Sequence, residues 1–403
     1  MRNMRKKIKE DKAITLVALV VTIVVLILLA GITLSLVLGQ NGIVNKAKEA
    51  RDKTKADQLN TELTMNTLYD EMEGAISEKS VLDKLPTVEL EATKTTAVTE
   101  NSKVVLADGE AVIPAGFKIA GNSGTTVNTG IVITDGTNEF VWVPVADPSK
   151  MYQTIASTNL TGTTVPTTMS SASEILTGTK RGIPGSISWR EPDLVTSGTD
   201  CDADTTNKYY EQAGYTDTTA MAEAFVADYK AMIESINTYK GFYIGRYELT
   251  GTVASPTEKA GTTLANQNWY NLYKACKNVV TGNSHAVSSM IWGCQWDETI
   301  SWLISSGAKT DAQVNTDSSS WGNFYTSSVI ATGSNSTYKV NNIYDLAGNC
   351  FEWTQEANST AVRNIRGSSC GDSNPSYPVS YRNNYNPITY SVYGSSRSTL
   401  YIK

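Results

Sequence analysis

Read for the alternation of apolar and polar positions, the chain falls into three stretches. The first is apolar almost without interruption from Ile14 to Leu38, and no charged residue occurs between Ala13 and Gln40. A helix over that run rises about 37 Å at about 1.5 Å per residue, more than the roughly 30 Å of a bilayer's hydrocarbon layer. It is also longer than the apolar region of a cleaved secretory signal, about 7–15 residues. Arg2, Arg5, Lys6, Lys7, Lys9 and Lys12 precede it against only Glu10 and Asp11. The positive-inside rule then predicts a single-pass protein of a bacterial cell membrane, its N-terminus cytoplasmic and its C-terminal domain outside. Beyond Gly39 the helix is expected to continue as a stalk to about residue 75. Ile43, Ala47, Ala50, Leu59, Leu63, Leu68 and Met72 recur at helical spacing on a thin stripe.

The third stretch is a large polar domain. Residues 76–110 read as a linker or as the first strand of that domain, and the ordered pattern starts at AVIPAGFKIAG from residue 111. TGIVITDGTNEFVWVPV alternates around Asp135 and Gly136, which predicts a hairpin. Residues 146–216 are rich in Ser, Thr, Gly and Asp with little periodicity, the pattern of a surface insertion. After them Ala222, Phe225, Val226, Tyr229, Met232, Ile233 and Ile236 form one helical stripe, with Thr or Asp near 218 as N-cap. GFYIGRYELT comes next as a strand, and Trp296, Ile300, Leu303 and Ile304 share a face of a further helix. No period of 20–50 residues marks a solenoid.

Composition narrows the chemistry. Residues 1–55 carry a net charge of +7, and the whole chain is −6, so the remaining 348 residues carry −13. An acidic domain lacks the clustered positive charge that follows a phosphate backbone, and nucleic acid is not an expected partner. One histidine, His285, excludes multi-histidine zinc and two-histidine iron sites. The five cysteines, Cys201, Cys276, Cys294, Cys350 and Cys370, allow at most two internal bridges and contain no CxxC. The C-terminal residues interleave Tyr377, Tyr381, Tyr385, Tyr390 and Tyr393 with Arg382, Asn383, Asn384 and Asn386. Tyrosine supplies contact area with few rotatable bonds and asparagine supplies adaptable hydrogen bonds, as in a paratope. The other reading of this stretch is structural, a hydrogen-bonded chain end in which Arg397 and TLYIK make the final strand.

Two resemblances add to this. KAITLVALVVTIVVLILLAG resembles the N-terminus of type IV prepilins and pseudopilins, which implies cleavage by a prepilin peptidase between Ala13 and Ile14 and assembly with other pilin subunits. The family's glycine and glutamate are Ala13 and Ala18 here, so an uncleaved anchor stays open beside it. The series IPAGF, FVWVPV, GFYIGRYE, NIYDLAGNCFEWT, RGSSCGDSNPSYPVSYRNNY and SSRSTLYIK resembles the formylglycine-generating enzyme, or sulfatase-modifying factor, domain. That resemblance covers about 111–145 and 240–403 and implies an α+β domain of C-type-lectin-type fold, poorly matched over 146–239. The family's copper-binding cysteine pair has no counterpart after Cys370, so no oxidase activity, copper or iron is expected. By the same resemblance a structural calcium ion is expected on the side chains of Asp345 and Glu352 and the carbonyls of Gly348 and Cys350, a hard oxygen set. The C-terminal segment is also similar to the variable proteins of diversity-generating retroelements.

The expected function is a membrane-anchored or pilus-associated surface protein, an adhesin whose catalytically inactive domain binds a protein or glycan through Tyr377, Tyr381, Arg382, Asn383, Asn384, Tyr385, Asn386, Tyr390 and Tyr393. The alternatives are a minor pilin, a retroelement variable protein and, last, an active oxidase.

Overall fold

The computed structural model describes residues 22, 23, 26, 80–148, 195, 201–357, 361–372 and 377–403, without the side chains of residues 226 and 230. The chain divides into two units, Met1–Glu62 and Leu63–Lys403. Of the apolar run, residues 22, 23 and 26 are helical and exposed. The rest of that run, the cleavage position at Ala13 and Ile14, and the stalk lie outside the described residues. No helix among the described residues is long and apolar enough to cross a membrane.

The second unit is α+β. Two short helices, α1 (Val81–Lys84) and α2 (Leu90–Thr93), precede the strands β1 (Ser102–Leu106), β2 (Gly109–Ile113), β3 (Lys118–Ile119), β4 (Val132–Thr134) and β5 (Glu139–Pro144). After α3 (Tyr209–Gln212) and α4 (Thr218–Tyr239) come β6 (Gly241–Gly245), β7 (Thr250–Thr252), β8 (Ser255–Thr257), α5 (Trp269–Lys277), β9 (Ala286–Met290), α6 (Gly293–Ser305) and α7 (Asp311–Asn315). The C-terminal part holds β10 (Lys339–Val340), β11 (Ile343–Tyr344), β12 (Phe351–Ala357), β13 (Arg363–Arg366), β14 (Asn383–Tyr385), β15 (Gly394–Ser395) and β16 (Ser398–Ile402).

Six strands form one antiparallel sheet in the order β3-β4-β5-β6-β16-β9, so the C-terminal strand is threaded between β6 and β9. Both faces are covered, and the two-residue repeat of a strand sorts the side chains. Phe140, Trp142, Tyr243, Leu400 and Ile402 enter one core with Trp269, Leu272 and Tyr273 of α5. Their neighbours Val141, Val143, Phe242, Ile244 and Tyr401 enter a second core with Trp296, Ile300 and Leu303 of α6. The β4–β5 turn is the expected one: Asp135 Oδ1 accepts from the N–H groups of Thr137 (2.8 Å) and Asn138 (2.7 Å), and Gly136 takes φ +100°.

Helix α4 follows its stripe. Asp217 caps it, accepting from the Ala220 N–H at 2.9 Å, and Met221, Phe225, Tyr229, Met232 and Ile236 are buried against the sheet, with α4 packed on β6 and β16. Helix α5 buries Trp269, Tyr270, Leu272, Tyr273, Ala275 and Cys276 and leaves Asn271, Lys274 and Lys277 on its outer side.

Of the two readings of residues 76–110, the strand is in place from residue 80 onward: Ser80 and Asp83 close a capping box on α1, β1 pairs with β2, and Leu82 and Val104 enter the core. The polar stretch at 146–216 is not all surface. Its described end buries Val195, Cys201 and Asp202 against Ala357, while residues 149–194 and 196–200 lie outside the described set.

Candidate ligand-binding surface

The candidate surface rests on a second sheet, ordered β14-β13-β12-β15, with β14 at its edge. Every residue of β12 and β13 is buried, including the charged ones, and a buried charge needs a partner. Arg363 Nη2 meets Asp202 Oδ2 at 2.5 Å, and Asp202 Oδ1 accepts from the Tyr270 hydroxyl at 2.7 Å. The same guanidinium lies 3.9 Å from the centre of the Trp269 ring, a desolvated cation–π contact. Arg366 Nη2 donates to Asp297 Oδ1 at 2.9 Å, and Arg382 bridges Asp297 Oδ2 to the Glu356 carboxylate. With Arg366 Nη1 3.8 Å from Glu356, two guanidiniums and two carboxylates close a charge-balanced cluster. Arg397 grips both oxygens of Glu352, at 2.7 and 2.5 Å.

Arg382 is therefore removed from the contact residues that the sequence suggested. It is 8% exposed, and its guanidinium is directed inward at Asp297 and Glu356.

The tyrosines behave differently. The backbone of 377–393 is tied to the interior at intervals: the Val379 N–H to Ser318 Oγ (3.0 Å), Pro387 O to the Trp269 N–H (2.9 Å), Ser391 O to the Asn266 N–H (2.9 Å) and Tyr393 O to the Phe351 N–H (2.8 Å). Ser368 holds its φ of +62° while its hydroxyl donates to Tyr377 O at 2.6 Å, fixing the start of the segment. Outward from this frame stand Tyr385, 39% exposed, and Tyr390, 55% exposed. Tyr385 stacks on Phe351 at 5.7 Å, and Tyr381 meets Tyr377 edge-on at 4.9 Å. Burial, then the neighbouring Tyr377, Asp372 and Tyr385, push the Tyr381 hydroxyl above its ordinary range. Asn383, Asn384, Asn386 and Tyr393 are half-buried, and Asn386 Oδ1 turns back to the Ile388 N–H. Within 377–393 the only charged side chain is the sequestered Arg382.

Two residues missed in the sequence join this region. Val392 is 57% exposed beside Tyr390 and Tyr393. Tyr325, 59% exposed at φ +59°, sits on a loop whose next two N–H groups both donate to Cys370 O at 3.0 Å. A tyrosine outside the C-terminal run has no sequence feature that marks it as part of the surface.

The two side chains expected to hold calcium, Asp345 and Glu352, are placed differently. Glu352 has both oxygens on Arg397, and Asp345 Oδ2 accepts from Thr332 Oγ1 (2.9 Å) and the Gly333 N–H (3.0 Å), leaving Oδ1 without a partner among the described residues. Gly348, at φ +70°, lies so close to the Asn323 backbone that a Cβ would collide with it, and the Cys350 N–H goes to Glu248 Oε1 at 2.9 Å. Among the described residues no group of three or more His, Cys, Asp and Glu side chains is placed to hold a metal ion. Arg397 lies among these carboxylates. Burial pushes Glu258 up to about 8, and burial with the nearby Asp345 and Glu352 charges pushes Glu248 well above the carboxylate range. His285 is half-buried, its N–H held by Asn283 Oδ1 at 2.7 Å, just before β9. All five cysteines are buried as thiols.

No family model matches this chain, and no curated protein does. Solved structures similar to it include the Treponema denticola variable protein 1 (15% identity over 40% of this chain and 84% of that one, TM-score 0.29). Others are CarF (10% identity, 41% and 87%, TM-score 0.30) and PvdO from Pseudomonas aeruginosa (13% identity, 40% and 81%, TM-score 0.30).

Proposed function

We propose that this protein is a cell-surface ligand-binding protein. Its apolar N-terminal helix would anchor it in the membrane or build it into a pilus, and its C-terminal domain, of formylglycine-generating-enzyme-like, C-type-lectin-type fold, would bind without catalysing. The observation that carries the reading is the contrast within 377–393: a backbone fastened to the core at Val379, Pro387, Ser391 and Tyr393, and uncharged aromatic side chains left in solvent. A rigid frame lowers the ordering cost of binding, and exposed tyrosine supplies the contact area. Catalysis is left out because the sequence has no cysteine after Cys370, where the resemblance places the copper-binding pair.

The test is a combined Tyr381→Ala, Tyr385→Ala and Asn386→Ala variant of the full chain, assayed on arrayed glycans and on immobilised surface proteins beside a melting curve. Binding is expected to fall at least tenfold with the melting midpoint nearly unchanged. A collapse of stability with the loss of binding would make these residues part of the core and sink the proposal.

A further inference from the structure

We propose that Cys350 and Cys370, separate buried thiols in this structure, pair as a disulfide, closed as the chain folds by exchange with a small organic disulfide. The placement follows from one backbone bond. The Cys370 N–H donates to the carbonyl of Asn349, the residue before Cys350, at 2.9 Å. With standard bond lengths that holds the two Cα atoms within about 6–7 Å, the upper part of the roughly 4.4–6.8 Å that a disulfide spans. Both side chains are buried. The other three cysteines sit elsewhere: Cys201 against Val195 and Ala357, Cys276 with its sulfur 3.6 Å from Ser396 Oγ, and Cys294 in the core under α6.

The chemistry balances with oxidised glutathione as the oxidant. One cysteine thiolate attacks a glutathione sulfur and expels a glutathione thiolate, leaving a mixed disulfide. The second cysteine thiolate attacks the protein-bound sulfur and expels the other glutathione. The protein loses two electrons and two protons, and both appear on two molecules of reduced glutathione. Burial pushes both thiols up, Cys350 furthest, so exchange belongs to the folding chain, before the thiols are enclosed. The bridge would tie the start of β12 to the loop whose carbonyl at Cys370 holds the Tyr325 loop, bracing the candidate surface from beneath. The pairing does not depend on that surface binding anything.

The experiment is a peptide map of the full chain, reduced and denatured, then refolded in detergent with mixed reduced and oxidised glutathione, alkylated and digested without reductant. The expected result is a linked peptide carrying Cys350 and Cys370, lighter by two hydrogens than its separate parts, with Cys201, Cys276 and Cys294 alkylated. In a Cys370→Ala variant the linked peptide should vanish and Cys350 should be alkylated. Five alkylated cysteines in the original chain, or a link that joins any other pair, would overturn the proposal. Where refolding yields little material, the same map on protein isolated from an oxidising compartment decides between these outcomes.

Discussion

Arg363 and Tyr385 face each other across the ladder between β13 and β14, yet they belong to opposite environments. Arg363 is fully buried, paired with Asp202 and laid over Trp269, while Tyr385 on the adjacent edge strand is 39% exposed and carries no charge. The domain keeps ion pairs in its interior and an uncharged aromatic face at its edge, the reverse of the usual distribution. Buried ion pairs of this kind contribute little net stability over apolar packing, but they are intolerant of losing one partner. They suit a frame that must hold one geometry, and they free the edge for neutral contacts.

The largest effect should come from breaking that interior. Asp202→Ala takes the carboxylate from Arg363, which keeps its Nη1 bond to the Gln355 carbonyl, and from the Tyr270 hydroxyl and the Val195 N–H, and urea unfolding should show a loss of about 3–5 kcal/mol. Pairing Asp202→Leu with Arg363→Met should recover most of it. If Asp202→Ala costs under about 1 kcal/mol, the pair is solvated rather than buried.

Next is a pH effect. Glu258 has its folded value raised from 4.5 to about 8, chiefly by burial. A raised carboxyl binds its proton more tightly in the folded state, so the stability it contributes is complete below pH 4.5 and falls as pH rises through 8. The expected loss between those limits is on the order of 5 kcal/mol. Glu258→Gln should flatten this part of the profile, since an amide oxygen can still accept from the Ser398 N–H and hydroxyl that now reach Glu258 Oε1 at 2.6 and 2.8 Å. A profile whose slope is unchanged in Glu258→Gln would assign it to another group.

Arg382→Ala tests the line between the two regions. As a member of the cluster with Asp297, Glu356 and Arg366 it should cost about 2–3 kcal/mol, measured by thermal and urea unfolding. A ligand contact would instead lose binding at unchanged stability. Tyr385→Ala, on the exposed side, should cost only about 0.5–1 kcal/mol, mostly its stacking on Phe351.

This boundary also marks what the sequence makes legible. Local patterns are readable: the Asp135–Gly136 turn, the α4 stripe with its Asp217 cap and the strand from Gly241 are all in place. So is the final strand, which the sequence leaves open against a binding role for the chain end, and which lies inside the large sheet between β6 and β9. Helix α5 is harder to read because its nine residues make only about two and a half turns, a short window for a helical period. The ion pairs are invisible for a different reason. Arg363 meets an acid 161 positions away, inside a stretch that reads as surface polar residues, and Arg382 meets Asp297 85 positions away. In sequence Arg382 is one more polar member of a tyrosine and asparagine run, and only its tertiary partners separate it from its neighbours. The Glu352 partner is hidden in the same way, since Arg397 reaches it from 45 positions away.

The smallest predicted effect concerns salt, and it stems from that sequestration. Over 377–393 the one charged group, Arg382, is compensated inside the protein, so contacts by Tyr381, Tyr385, Tyr390 and Asn386 would be made by neutral groups. Ionic strength weakens attraction between exposed charges, with a screening length of about 10 Å at 0.1 M falling to about 3 Å at 1 M. It leaves aromatic burial and neutral hydrogen bonds nearly untouched. A ligand captured by this surface should therefore bind with a dissociation constant that changes less than about twofold between about 0.05 and 0.5 M sodium chloride. A drop of about tenfold or more would mean that charges outside the tyrosine segment carry the binding, and the acidic remainder of the domain would become the place to look.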